Sequence, residues 1–280
     1  MKRTIGKLRL RRDRYRSAPP LPRLWSFALV TINLILIAFL ILDTPVGSYA
    51  PHTPYILRRI GRIVTEFGNS GWVLLASALL FFEAWAVTRL APTCKARVQA
   101  MYVTHIAAFM LISVSLSGLA ANVLKRAIGR ARPGMFAEWG AFGFQPFAHN
   151  SRFESFPSGH ATTVGAILMV LALLAPRYRV LFVISALWLG LSRVLVAMHY
   201  PSDVVAGLTF GAWCSLLVAI MFARHGLLFR QATDGWPVLR RPIPFGLRPN
   251  WTALPLPPRG VPPKPPTPVD VTPPAGLKPL

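Results

Sequence analysis

The chain is poor in charged side chains, and above all in carboxylates. Only 14% of its 280 residues are charged, against about 25% in a typical soluble domain, which argues against a soluble protein. Nine Asp and Glu stand against 31 Lys and Arg, so the formal net charge is +22. Such a balance can indicate nucleic-acid binding. Here the basic residues cluster in the tails and between apolar runs, which favours anionic lipid headgroups, and we predict no nucleic-acid partner.

Cysteines and metal-ligand patterns are equally sparse. The two cysteines, Cys94 and Cys214, provide neither a disulfide framework nor the spacing of metal ligands. The sequence contains no His-Glu-x-x-His pair, and the carboxylates between the apolar runs have no spacing typical of a divalent-metal cage. We therefore predict a protein without a metal site and without a cofactor.

Long apolar runs are what the chain has in excess. Hydrophobic residues make up 53% of it, and six runs are long enough to cross a bilayer or most of one. They are residues 24–42, 72–90, 98–124, 161–175, 180–198 and 204–222. The first run lacks a small-residue cleavage site and is therefore a retained helix. We predict an all-α fold, an integral membrane six-helix bundle over residues 24–222, with an amphipathic surface helix within residues 54–67.

Two tails, residues 1–23 and 223–280, flank this predicted bundle and differ from it in composition. The first carries nine Lys or Arg and a single Asp, and residues 237–280 of the second hold 15 of the 27 prolines. Such a density of proline excludes helices, and little apolar surface remains for burial. We predict that the basic N-terminal tail and the Pro-rich C-terminal tail are both disordered.

The distribution of positive charge predicts an orientation. Lys and Arg are abundant in both tails and also occur in the loops after the second and fourth runs, and these regions share one side when the runs alternate in direction. Loop 126–159 on the other side is also basic, and its cations need a separate explanation. The positive-inside rule makes that side cytoplasmic. We predict a multi-pass protein of the cell (inner) membrane with both termini in the cytoplasm. Loops 43–71, 126–159 and 199–203 would then face the extracytoplasmic, or periplasmic, side.

Three short polar clusters border the runs on this predicted outer side. They are Lys125 with Arg132-Pro133, then Pro157-Ser158-Gly159-His160, and then Ser192-Arg193 with His199 and Asp203. Six residues separate the lysine from the arginine of the first cluster, and five and three separate the successive charged members of the third. A single cation of this kind is most often an interfacial anchor. The joint occurrence of all three clusters on one side favours a functional site.

The cations and the Ser-Gly pair are what a phosphate site requires. A phosphate monoester carries nearly two negative charges near neutral pH. Lys125, Arg132 and Arg193 would offset this charge. One guanidinium group can also donate to two phosphate oxygens at once. Ser158 and Gly159 precede a predicted helix, whose first backbone N–H groups form an anion site. We predict that these five residues bind the phosphate.

The two histidines permit a displacement at phosphorus in two steps. One neutral imidazole attacks and forms a phosphohistidine, while the other protonates the leaving oxygen. Asp203 follows His199 by four residues, and its carboxylate can hold one ring nitrogen as N–H. We therefore predict His199 as the nucleophile with Asp203 as its partner. His160 lies among cations, and we predict it as the general acid and then as the base that activates water.

The three clusters together resemble the three-part signature of the type-2 phosphatidic acid phosphatase superfamily, and the resemblance covers residues 24–222. It implies a six-helix membrane core, an active site facing away from the cytoplasm, and metal-independent dephosphorylation. It also implies the same catalytic and phosphate-binding residues. These are His199, His160 and Asp203 for catalysis, and Lys125, Arg132, Ser158, Gly159 and Arg193 for phosphate.

The predicted function is hydrolysis of a lipid phosphomonoester or diphosphate, with a lipid phosphate and membrane lipids as partners and no obligate protein partner. Candidate substrates within the family are undecaprenyl diphosphate, phosphatidylglycerol phosphate, phosphatidic acid and the phosphates of lipid A, and the sequence does not choose among them. A phosphotransferase would use the same site but pass the phosphoryl group to a second lipid. A non-catalytic binding or transport protein would need the cations but has no use for His199 beside Asp203.

The loop after the third run contains further residues whose roles stay open. Arg126 and Arg130 fit either substrate binding or anchoring at the membrane interface. Seven aromatic residues follow between positions 135 and 156, a composition typical of a membrane interface. One hypothesis is that they guide a lipid phosphate into the site, and the alternative is interfacial anchoring alone.

Overall fold

Helices dominate residues 24–241, the part of the chain that the computed structural model describes. Each α-helix is numbered in chain order: α1 Leu24–Ile37, α2 Asp43–Tyr49, α3 Tyr55–Thr65, α4 Ser70–Leu90, α5 Cys94–Ile128, α6 Phe136–Trp139, α7 Gly159–Leu174, α8 Arg179–Leu195 and α9 Pro201–Arg224. Two short strands follow, β1 Phe229–Gln231 and β2 Pro237–Leu239. The basic tail 1–23 and residues 242–280 of the Pro-rich tail lie outside the described residues.

Every predicted apolar run corresponds to a helix. Within residues 24–241, five helical stretches are long and apolar enough to cross a membrane, namely Leu24–His52, Tyr55–Leu90, Cys94–Ile128, Pro176–Leu195 and Pro201–Arg224. The remaining run forms α7, which is apolar but only 16 residues long. The all-α membrane architecture predicted for residues 24–222 is confirmed, whereas the count of six spans stays a prediction.

Helices α7 and α9 form the centre of the bundle, and glycines let their backbones approach closely. A Cβ atom at Gly207 would lie 2.5 Å from the carbonyl oxygen of Ser158, and one at Gly211 would lie 2.0 Å from that of Thr162. Small residues permit such close packing between helices in lipid. The approach brings the beginning of α7 next to the beginning of α9, so the second and third clusters meet.

The first helix continues beyond the end that the sequence predicts for it. A π-helical turn, Ala38–Leu42, joins α1 to α2, and the helix runs on to Tyr49. The sequence predicts that Asp43 begins an outer loop, and this prediction is wrong because the residue lies in α2. Asp43 is fully buried. The extra residue of a π turn rotates the side chains that follow it, and Asp43 faces Ser202 at the start of α9.

Helix α3 confirms that residues 54–67 contain an amphipathic helix. It packs against the end of α8 through Gly61, whose Cβ would lie 3.2 Å from the carbonyl oxygen of Ser192. Its other faces leave Ile56 and Ile63 exposed. Because α8 carries Arg193 near this contact, α3 supports a segment of the third cluster.

The residues directly after α9 are folded, which differs from the disordered tail predicted from residue 223 onward. Strands β1 and β2 pair antiparallel, with Phe229 opposite Leu239. The Phe229 side chain is buried, and its ring lies 5.0 Å from that of Phe109 in the core between α5 and α9. Apolar residues after α9 therefore join the helical core, and the boundary predicted at residue 222 falls too early.

Candidate active site

The three clusters meet at one end of the bundle, where α5 ends and where α7 and α9 begin. The backbone N–H of Ser158 donates to the carbonyl oxygen of Asp203 at 3.0 Å, which joins the second cluster to the third. Burial lowers the pKa of His160 to about 4, and the nearby charges of Arg193, Lys125 and Arg132 act in the same direction. The structure therefore brings together all eight residues that the sequence predicts for the site.

His199 lies in the loop between α8 and α9 and is only 4% exposed. Its Nδ1 atom lies 2.9 Å from the carbonyl oxygen of Ser155. A carbonyl oxygen only accepts, so Nδ1 carries the proton and Nε2 keeps a free lone pair. Burial lowers the pKa of His199, and the nearby carboxylate of Asp203 opposes this shift without reversing it. The ring is therefore neutral at neutral pH, as a nucleophile must be.

Asp203 lies close to His199, but its hydrogen bonds go to other groups. Its Oδ2 atom is 3.8 Å from Nδ1 of His199, which exceeds a hydrogen-bond distance. The same oxygen accepts from Ser155 Oγ at 2.6 Å and from the backbone N–H of Tyr200 at 2.9 Å. The sequence predicts that Asp203 holds the imidazole directly. In the structure Asp203 holds Ser155, and the carbonyl group of Ser155 holds the imidazole.

Arg130 is completely buried, and each of its five N–H donors has a partner. Its Nη1 donates to Ser202 Oγ at 2.7 Å and to Asp203 Oδ1 at 2.6 Å. Its Nη2 donates to Asp43 Oδ2 and to the carbonyl oxygen of Ala141, both at 2.7 Å, and Nε also donates to Ala141 at 3.2 Å. Neither of the two roles that the sequence leaves open, substrate binding or interfacial anchoring, fits this residue.

Asp43 completes this buried cluster from the first helix. It accepts from the backbone N–H of Ser202 at 3.0 Å, in addition to its ion pair with Arg130. The Arg130 guanidinium also lies 4.3 Å from the centre of the Tyr200 ring and 4.9 Å from that of Phe39. The sequence carried one signal for Asp43, since a carboxylate at the end of an apolar run is by default a functional hypothesis.

Arg132 and Arg193 keep donors that the protein does not use. Among the residues that the structure describes, the buried Nε of each has no hydrogen-bond partner. Arg193 is held from one side, because its Nη1 donates to Thr65 Oγ1 at the end of α3 at 2.8 Å. Burial lowers the pKa of Arg132, and the carboxylates of Glu154 and Asp203 oppose this shift. A buried charged donor without an acceptor is unfavourable, so both arginines favour an incoming anion.

The beginning of α7 adds backbone donors to the same region. Ser158 caps the helix, and its Oγ accepts from the backbone N–H of Ala161 at 3.5 Å. A Cβ atom added at Gly159 would meet no atom within 4 Å, so the space beside the first turn is open. The unpaired N–H groups and the positive end of a helix dipole stabilise an anion there. The structure thus leaves room for a phosphate beside Gly159.

Lys125 lies in the last turn of α5, and Gly129 is the capping residue that follows this helix. Gly129 has a left-handed φ of 63°, and a Cβ there would lie 1.9 Å from the carbonyl oxygen of Gln145, so a glycine is required. Lys125 Nζ lies 3.0 Å from the carboxylate of Glu154, which the sequence does not predict as part of the site. Burial alone would raise the pKa of Glu154. The hydrogen bond from Lys125 and the charges of the neighbouring cations outweigh burial, so the net pKa lies below its usual value and this carboxylate is ionised.

The aromatic residues of the loop divide between the surface and the interior. Phe147 and Phe142 are 68% and 50% exposed. Phe153 is buried, and its ring meets that of Trp139 edge-on at 5.0 Å. Part of the set therefore stabilises the loop, and guidance of a lipid by the exposed members stays a prediction.

Comparisons with known proteins identify a family and several relatives. A family model described as the PAP2 superfamily matches residues 106–226, which include all eight predicted site residues. The Lipid A 1-phosphatase of Rhizobium johnstonii is 52% identical over 224 residues, which cover 80% of this chain and 90% of that protein. The Lipid A 1-phosphatase of Rhizobium etli is 51% identical over 227 residues, which cover 81% of this chain and 96% of that protein.

A solved structure is also similar. It is the crystal structure of a transmembrane PAP2 type phosphatidylglycerolphosphate phosphatase from Bacillus subtilis, with a TM-score of 0.44 and 21% sequence identity. The similarity covers 68% of this chain and 92% of that chain.

Proposed function

The chain belongs to the PAP2 superfamily and is a membrane lipid phosphatase, and from this premise we propose that it removes the 1-phosphate of lipid A through a phosphohistidine on His199. The substrate is supported by two relatives named Lipid A 1-phosphatase, each about half identical over some four-fifths of this chain. The mechanism is supported above all by one observation. The contact between His199 Nδ1 and the Ser155 carbonyl oxygen leaves Nε2 free to attack.

In the first step, the lone pair of His199 Nε2 forms a bond to phosphorus while the bond from phosphorus to the lipid oxygen breaks. In the empty site, burial and the charges of Arg193, Lys125 and Arg132 lower the pKa of His160 to about 4. The bound phosphate offsets these charges and favours the protonated ring. Protonated His160 then gives its proton to that oxygen, so the lipid leaves with a hydroxyl group. The carboxylate of Asp203, 3.8 Å from the ring, stabilises the positive charge that develops on His199. Lys125, Arg132 and Arg193 offset the charge on the phosphoryl oxygens.

In the second step, a water molecule attacks the phosphorus of the phosphohistidine and gives its proton to His160, which is now neutral. The bond between phosphorus and Nε2 breaks, and its electron pair returns to His199. Inorganic phosphate leaves, and both histidines regain their starting protonation states. No other reactant is required.

The site is placed on the extracytoplasmic side of the inner membrane in this proposal. The support is the charge of the two tails, since residues 1–23 carry nine Lys or Arg and residues 223–280 carry eight. Both tails share the side opposite the site when the six runs alternate in direction, and the positive-inside rule makes that side cytoplasmic. Lipid A phosphates would then reach the site from the outer leaflet, beside the exposed aromatic residues Phe142 and Phe147.

The test is a panel of lipid phosphates assayed with purified protein in detergent. We expect free phosphate to be released fastest from lipid A, with phosphatidic acid, phosphatidylglycerol phosphate and undecaprenyl diphosphate as competitors. His199→Gln should abolish phosphoenzyme trapping and reduce turnover by at least about 10³-fold. His52→Gln replaces an exposed histidine outside the site and serves as the matched control.

Each alternative has its own outcome in this assay. Turnover of another lipid but not of lipid A would refute the substrate and leave the phosphatase assignment intact. A phosphoenzyme trapped in the His199→Gln variant would refute the nucleophile. Transfer of the phosphoryl group to a second lipid, in place of release as free phosphate, would identify a phosphotransferase.

A further inference from the structure

Glu154 is a carboxylate that lies among the predicted phosphate ligands. Its Oε2 lies 3.0 Å from Lys125 Nζ, and its Oε1 lies 3.5 Å from Arg126 Nε. Its negative charge also raises the pKa of Arg132, against the effect of burial. Glu154 therefore makes with Lys125 the same kind of contact that a phosphate oxygen would make.

Glu154 is held less firmly than the other carboxylates around the site. Asp203 and Asp43 are fully buried, and each accepts several hydrogen bonds from groups on other elements. The side chain of Glu154 is 20% exposed, and within residues 24–241 its oxygens contact only the two cations. Ion pairs with access to solvent are weak compared with buried, hydrogen-bonded ones. Another anion can therefore displace this carboxylate.

A cavity of about 540 Å³ adjoins Glu154 and gives its side chain space to move. Arg126 also lines this cavity, and its side chain is 69% exposed. Leu119 and Phe147 line the cavity as well and are largely exposed. Glu154 thus borders both a cavity with exposed apolar side chains at its edge and the predicted phosphate ligand Lys125. Arg126 can keep the charge of Glu154 paired when this carboxylate leaves Lys125.

We propose that Glu154 is a displaceable counter-ion that pairs with Lys125 in the empty site, yields this position to the substrate phosphate, and competes with inorganic phosphate after hydrolysis. The inference rests on the proposed function, because it takes Lys125 as a phosphate ligand. It adds a residue that sets the affinity of the site. Without such a competitor, three cations would retain the dianionic product and slow the next turnover.

The experiment measures the inhibition constant of inorganic phosphate during lipid phosphate hydrolysis, in the wild type and three variants. Glu154→Gln removes the charge. Glu154→Asp keeps the charge on a side chain shorter by one carbon–carbon bond, about 1.5 Å, which takes the carboxylate out of reach of Lys125. Glu138→Gln, on α6 in the same loop, is the control, because Glu138 is exposed and forms no ion pair with any residue between 24 and 241.

We expect the inhibition constant to fall about tenfold in Glu154→Gln and about threefold in Glu154→Asp, because both variants free Lys125. The control should match the wild type. A fall in Glu154→Gln alone would mean that the charge acts at a distance without being displaced, and would overturn the inference. Unchanged or raised constants in both variants would overturn it as well. Failure of the proposed function is distinguishable, since the wild type itself would then release no phosphate from lipid A, whereas the inhibition constants can be measured with any lipid phosphate that it hydrolyses.

Discussion

Arg130 and Arg132 lie two residues apart in the same loop, yet their surroundings are opposite. Arg130 is 0% exposed, and its five donors are satisfied by two carboxylates, a serine hydroxyl and a backbone carbonyl. The buried Nε of Arg132 has no partner among the described residues. An arginine saturated by the protein holds the structure together, whereas an arginine with an unused donor is available to a ligand. The chemical type of the residue does not distinguish the two roles.

The difference arises from what surrounds each guanidinium. Asp43 from the first helix and Asp203 from α9 converge on Arg130. Arg132 forms no ion pair within residues 24–241 and has Met198 Sδ, at 3.9 Å, as its side-chain contact. Arg130 therefore joins three distant segments of the chain, and Arg132 faces the space where the phosphate is proposed to bind.

The largest expected effect is that of Arg130→Lys on stability. A lysine has three donors, so at least two of the five hydrogen bonds are lost and at least one of the four acceptors around Arg130 loses its partner. The two buried carboxylates are then poorly compensated. We expect a loss of about 3–5 kcal/mol in unfolding free energy and a lower melting temperature in detergent, measured by tryptophan fluorescence. Activity should fall as well, since Arg130 positions Asp203.

Arg132→Lys is the matched control for this measurement, and its melting temperature should equal that of the wild type. Asp43→Asn gives a second route to the same cluster, because an amide cannot balance the charge of Arg130. If Arg130→Lys lost activity but melted like the wild type, the structural role assigned to Arg130 would be wrong.

A smaller effect is expected from Arg132→Lys and Arg193→Lys on catalysis. Each change replaces a guanidinium that has a free buried Nε with a single ammonium group, and removes charge-assisted hydrogen bonds worth about 1.5–3 kcal/mol. We expect kcat/KM for the lipid phosphate to fall about 10–100-fold with little change in melting temperature. If Arg132→Lys lowered the melting temperature as far as Arg130→Lys does, the distinction between a structural Arg130 and a ligand-binding Arg132 would be wrong.

The smallest expected effect is on the pH profile. The nucleophile must be neutral, so activity is lost as the pH falls through the pKa of His199. Burial lowers this pKa below its ordinary value of 6.5, so the acidic limb of kcat/KM should lie below pH 6.5. The charge of Arg132 also lowers the pKa of His199, and the carboxylate of Asp203 raises it.

Two substitutions should therefore move this limb in opposite directions. Arg132→Gln should shift it to higher pH, and Asp203→Asn should shift it to lower pH with slower residual turnover. Steady-state rates in overlapping buffers measure both shifts. A shift of the same sign in both variants would show that His199 does not control the limb.

Much of the fold could be predicted because it depends on local composition. The preference of each apolar run for lipid depends only on its own length and composition, and each run forms a helix in the structure. The end of the first helix could not be predicted, because Asp43 is stabilised within the bundle by Arg130 and Ser202, which lie far away in the chain. The folded residues after α9 were missed for a similar reason, since Phe229 is buried against Phe109.

The candidate site shows the same division. The sequence could nominate His160, His199 and the predicted phosphate ligands because the chemistry depends on their types and spacings. Ser155 could not be found, because its contribution is a backbone carbonyl placed 2.9 Å from His199 by the fold of a loop. A backbone carbonyl is common to all residues and therefore leaves no mark in the sequence.

The sequence by itself determined that this is a helical membrane protein with cations and two histidines suited to phosphate chemistry, because apolar length and side-chain type are local properties. Only the tertiary structure decided which nitrogen of His199 is free, which arginine is structural, and which carboxylate pairs with Lys125. Those outcomes depend on distances of about 3 Å between groups that are remote in the chain, and such distances are set by helix packing and loop geometry.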